Sequence, residues 1–353
     1  MNIIFLIAYA VIFLFIIAVI ASLSIIALSE ISHRKESKYQ KINLILKNNI
    51  LRYLDNKDDL LALKKVLPND SEILIGVIIQ IAAGFDDRER LRLIDMLEDL
   101  GLKEMQVHQL RMLLSKNDAE RLKAASVLPN IMQKDRIEEP LINSLKDKAL
   151  EVRLAVARSL GVIKATRAIK SIIDNLALEG DWPITRVIEA INAMGPASVS
   201  PLITYLQSEE TIPAARVIAI AVLGTQKDPA SVPIILEHLS SDSLEVQIQC
   251  AKSLGLIGGQ DVVAPLITLI KSSPWELRSA SAIALGQIKD QLSIPELIHA
   301  LSDATWWVRF NAANALCGMG QSGTNALLAS LDGNDRFARD ISKLVLDEKK
   351  VSQ

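Results

Sequence analysis

Four histidines, two cysteines, a row of arginines and four tryptophans are the residues of this 353-residue chain that could do chemistry or grip a partner. His33, His108, His238 and His299 stand far apart, and none is followed by Glu or belongs to an HExxH pair, so no metal-ligating spacing exists. Cys250 and Cys317 lie inside apolar stripes and are expected as buried thiols, since two distant cysteines offer neither a zinc knuckle nor an evident disulfide. No GxxxxGK[ST] loop, no GxSxG elbow and no GxGxxG after a strand occurs. Neither a catalytic group, a cofactor nor a metal is expected. Net charge is −2, without the basic excess that would neutralise phosphates, so nucleic acid is not an expected partner either.

The arginines and tryptophans do fall into a pattern. SSPWELRSASAIALGQIKD, from Ser272 to Asp290, is nearly repeated by SDATWWVRFNAANALCGMG, from Ser302 to Gly320. LEVRLAVARSLG around Arg153, IPAARVIAIAVLG around Arg216 and LEVQIQCAKSLG around Gln247 share the register, with Leu seven and Gly eight residues after the marker. Markers at 121, 153, 186, 216, 247, 278, 309 and 339 set a period of 30 to 33 residues, which is a solenoid signature. Between markers run second stripes such as VVAPLITLIKSS and SIPELIHALSD. Apolar spacing of three and four makes both stripes amphipathic helices, and the Gly of each Leu-Gly reads as the helix stop. With half the residues hydrophobic but only 4% aromatic, Leu, Ile, Val and Ala must fill the core.

These segments resemble the short HEAT-like repeats of the phycobilisome-lyase type, whose turn Asp, Val-Arg, Ala-rich helix and Leu-Gly recur here from Asp118 to about Leu346. The resemblance implies an α-solenoid and a bacterial source. It also implies that the arginines form a ladder with turn carboxylates, here Asp147, Glu209, Asp242 and Asp303, rather than an anion groove. The expected fold is all-α: an N-terminal transmembrane helix followed by an α-solenoid of about eight HEAT-like helix pairs. The expected divisions are a membrane helix at 1–29, a juxtamembrane segment at 30–57, degenerate repeats or a cap at 58–115, and the solenoid at 116–353.

The membrane expectation rests on residues 3–28, IIFLIAYAVIFLFIIAVIASLSIIAL, which contain no charge, Pro or Gly and are long enough to cross a bilayer. No basic residue precedes the run, which argues for an uncleaved anchor over a signal peptide. Arg34, Lys35, Lys38 and Lys41 follow it, so the expected placement is single-pass in the plasma (inner) membrane, N-terminus outside and repeats cytoplasmic.

In the resembling repeats the inner helix lines the concave face, and its variable positions carry the partner. Transferred to this chain, they are Trp275, Glu276, Ser279, Ala280 and Ile283 in one repeat. In the next they are Trp306, Trp307, Phe310, Asn311 and Asn314. Trp306 and Phe310 are four apart and share a helix face. The expected function is therefore a membrane-anchored protein–protein interaction scaffold, an accessory subunit of an envelope or polysaccharide-synthesis complex, with an integral membrane enzyme as partner. A bilin lyase-like subunit and a sensory adaptor are the alternatives.

Overall fold

The computed structural model describes residues 40–55, 60–68, 70–178, 181–208 and 211–351, apart from the side chains of 181–183 and 349–351. The described chain is all-helical and divides into two compact units, one running up to Arg111 with Asn130–Gln133, the other comprising Met112–Pro129 and everything from Lys134.

The first unit is built from amphipathic helices. In the helix at 40–55, Leu46, Ile50 and Tyr53 are buried at spacings of four and three, one stripe of a helical surface. The Tyr53 hydroxyl donates to Asp99 at 2.7 Å, and burial together with that carboxylate pushes its pKa up to about 12. Asp87–Asp99 begins with a capping box: the Asp86 carboxylate accepts from the Glu89 N–H while the Glu89 carboxylate accepts from the Asp86 N–H.

The second unit alternates two helix layers. Its inner helices are α1 (Asp118–Val127), α2 (Leu150–Val162), α3 (Asp181–Asn192) and α4 (Pro213–Gln226), then α5 (Leu244–Ile257), α6 (Trp275–Ile288), α7 (Trp306–Gly318) and α8 (Arg336–Val351). Seven outer helices connect them, from Lys134–Ser144 to Gly320–Leu331. Each inner helix packs on the next, whereas neighbouring outer helices touch little.

The glycines of the Leu-Gly pairs produce the tight layer, and here the structure departs from the sequence reading. Gly161, Gly224, Gly255 and Gly286 are not stops; all lie inside their helices. Each faces a small residue of the next inner helix: a Cβ on Gly224 would sit 2.6 Å from the Ser253 Cβ, and one on Gly286 the same distance from the Ala315 Cβ. The actual stop comes three residues later. Lys164, Lys227 and Lys289 take the left-handed conformation there, with Gly258 at the equivalent place after α5.

The expected transmembrane helix is corrected as follows. Among the described residues no helix is long and apolar enough to cross a membrane, so the fold described is an all-helical solenoid without a membrane-spanning element. The run at 3–28 and the basic residues Arg34, Lys35 and Lys38 lie outside the described residues. Cys250 is fully buried, and desolvation pushes its thiol up to about 12, whereas Cys317 is only half-buried.

Candidate interaction surface

Seven of the eight markers are the fourth residue of their inner helix, and Arg186 is the sixth of α3. From the fourth position a long side chain reaches back over the preceding turn to the carbonyl six residues earlier. Arg153 Nη1 donates to Asp147 O at 2.8 Å, Arg278 Nη1 to Ser272 O at 3.0 Å and Arg309 Nη1 to Asp303 O at 2.6 Å. Gln247 does the same through Nε2 to Ser241 O at 2.7 Å, which explains why Gln serves at one marker.

Two turns add a carboxylate that ties one repeat to the next. Arg121 donates from Nε and Nη2 to the two Asp147 oxygens at 2.6 and 2.9 Å, and Arg278 holds Asp303 in the same fork at 2.6 and 2.8 Å. The expected ladder thus exists at Asp147 and Asp303. At Arg216 the guanidinium Nε bonds the Thr211 hydroxyl instead of Asp242, and Glu209 lies outside the described residues.

Hydrogen bonding from Arg121 holds the Asp147 carboxyl below its ordinary value against the opposing effect of burial. For Asp303, burial raises the carboxyl, but Arg278, the Thr305 N–H and nearby Arg309 together outweigh it and hold it low. A carboxyl lowered in the folded state contributes stability above its unfolded value of about 4, and the contribution disappears as pH falls through the folded value. Thermal unfolding should therefore give a melting temperature insensitive to these groups at neutral pH and falling below about pH 4. Asp303→Asn should lower the neutral-pH melting temperature and flatten the acid limb.

Part of the inner face opens onto solvent. A groove of about 570 Å³ across α1, α2 and α3 is lined by Leu122, Glu151, Leu154 and Arg158, among others, which stand at the transferred variable positions relative to Arg121 and Arg153. At the other end of the layer the same positions are aromatic. Trp306 stacks on Phe310 with ring centroids 4.8 Å apart and planes 13° from parallel, and Trp307 meets Trp306 edge-on at 4.8 Å. Trp306 remains 43% and Trp307 54% exposed. Trp275 and Ile283 are exposed one repeat earlier on α6, with Glu276 half-buried between them. Among the described residues no ring contact joins Trp275 to the Trp306 stack.

Two other expected contact positions face inward. Ser279 and Ala280 are buried, and the Asn311 side-chain amide donates to the Ser279 hydroxyl at 2.7 Å, joining α7 to α6. Asn314 is exposed and donates to the Phe310 carbonyl of its own helix. Two residues were missed. Phe337 and Leu344 are exposed on α8 and stand at the same phases from Arg339 as Trp307 and Asn314 do from Arg309. Counting from the last marker would have found them. Phe337 lies under Arg309, whose guanidinium carbon is 4.4 Å from the ring centroid.

Two stretches, residues 199–277 and 263–346, match the family model for HEAT repeats. These are HEAT repeats. They cover α4 to α8 with the outer helices between, including the whole aromatic surface. No curated protein matches the sequence. Among solved structures, the chain is similar to the karyopherin Kap121p bound to the extreme C-terminus of the protein phosphatase Cdc14p. The likeness has 14% identity and a TM-score of 0.47, over 86% of this chain and 41% of that one. It is similar to the complex of CpcE and CpcF of phycocyanin lyase from Nostoc sp. PCC7120, at 17% identity and a TM-score of 0.33, over 69% of this chain and 94% of that one. It is also similar to human deoxyhypusine hydroxylase, at 20% identity and a TM-score of 0.29, over 72% and 99% of the two chains. The chain thus spans less than half the length of the karyopherin. Among the described residues no group of three His, Cys, Asp or Glu side chains is placed to hold a metal ion.

Proposed function

We propose that this chain is a protein-interaction scaffold that grips its partner through the inner face of its C-terminal HEAT repeats. The observation behind this reading is the Trp306–Phe310 stack with Trp307 beside it, large aromatic surface left exposed on a helix layer otherwise packed with Ala, Ser and Gly. The few residues that dominate the binding energy of protein interfaces are enriched in Trp, which buries a large apolar area. Fold alone does not assign function to a solenoid, so the argument rests on these side chains.

The test pairs two measurements on Trp306→Ala with Phe310→Ala. Truncating an anchor typically costs about 2 kcal/mol or more, roughly thirtyfold in affinity. Co-purification of native partners should drop accordingly while the melting temperature stays near that of the wild type. Partners held at full strength, or a variant that melts early, would make these aromatics packing residues.

A further inference from the structure

The turn residue six before each marker has two tasks in the repeats that carry Asp. The Asp147 and Asp303 carbonyls accept from their own repeat's arginine, while their carboxylates fill the Nε/Nη2 fork of the arginine before. In the last repeat this residue is Gly333. Its carbonyl accepts from Arg339 Nη1 at 2.7 Å, but it has no side chain to offer Arg309. Arg309 uses Nη1 on Asp303 O and Ala304 O and lays its guanidinium over Phe337. Among the described residues no carboxylate takes its Nε/Nη2 edge. Asp303 is already held in a fork by Arg278, with Glu276 beside Arg278, and Asp335, in the same turn as Gly333, accepts from the Ala338 N–H at 3.0 Å.

We propose that Arg309 is a carboxylate-binding fork inside the aromatic surface, and that the partner is a protein segment presenting an Asp or Glu flanked by apolar side chains. This rests on the scaffold reading above and specifies its ligand. A planar guanidinium with its fork edge open is matched by a carboxylate in two parallel hydrogen bonds, the geometry this chain already uses twice within itself. Phe337, on which the guanidinium lies, supplies apolar ground for the flanking residues.

A random dodecapeptide library selected on the full-length chain provides the probe. Selected peptides should carry an acidic residue within three or four positions of aromatic or aliphatic ones, and anisotropy titrations should give at least tenfold weaker binding to Arg309→Gln. That variant should still fold, since Gln247 already keeps the turn bond at the equivalent position. The decisive variant is Gly333→Asp, which restores the internal carboxylate. Gly333 has no positive φ, and an added Cβ would lie 3.2 Å from Ser330 O, a contact relieved by a small shift. It should weaken the acidic peptides at least tenfold and abolish the preference for Glu over Gln in the peptide. Peptides without an acidic residue, or acidic peptides indifferent to Gly333→Asp, would overturn the fork. If Trp306→Ala with Phe310→Ala still abolishes their binding, the scaffold surface stands without it. If those variants too are without effect, both readings fall. A sedimentation dimer dissolved by Trp306→Ala would instead assign the surface to a second copy of the chain.

Discussion

Gly286→Ala should destabilise the array, although alanine is the better helix former. Propensity alone would reward the change by about 1 kcal/mol, because Gly286 lies inside α6 with helical neighbours on both sides. The added methyl would meet α7 at 2.6 Å from the Ala315 Cβ and 2.8 Å from its Cα, distances that real Cβ atoms essentially never show. The neighbour is a Cβ and backbone, not a flexible tip, so relief requires α6 and α7 to separate. Overpacking of this kind costs about 1 to 3 kcal/mol, which matches or exceeds the gain from propensity. Denaturant unfolding decides between them. A gain in stability would show that the α6–α7 contact yields and that helix propensity wins.

Leu285→Ala should produce the largest loss of any single truncation considered. Leu285 is fully buried, and removing such a side chain costs about 2 to 5 kcal/mol, depending on how far the cavity collapses. In a repeat array each unit touches only its neighbours, so the loss should be confined mainly to α5, α6 and α7 and the outer helices beside them. Hydrogen exchange should show these amides exchanging faster while α1 and α2 keep their protection. Uniform loosening from Arg121 to Arg339 would show that the second unit unfolds as one block.

The two changes together separate what was legible from what was not. All eight markers fall in inner helices because a period near 31 residues and apolar spacings of three and four are local properties, written in neighbouring residues. The Trp306–Phe310 pairing was legible for the same reason: residues four apart on a helix meet. Ser279 was mistaken for surface, although it had the same phase from its marker as Phe310. Its burial depends on Asn311 reaching across from another helix, which no local count contains.

By itself, the sequence determined the helices, their period, the markers and the aromatic phase, because each follows from side-chain type and spacing along one helix. The tertiary structure alone decided the purpose of the glycines, which carriers of the ladder pair, and that Arg309, unlike Arg278, meets no carboxylate among the described residues. Those are questions of distance between repeats. Gly286 is indistinguishable from a helix stop until Ala315 lies against it. Likewise, Gly333 is an ordinary turn residue until α8 brings its carbonyl to Arg339 and Phe337 to Arg309.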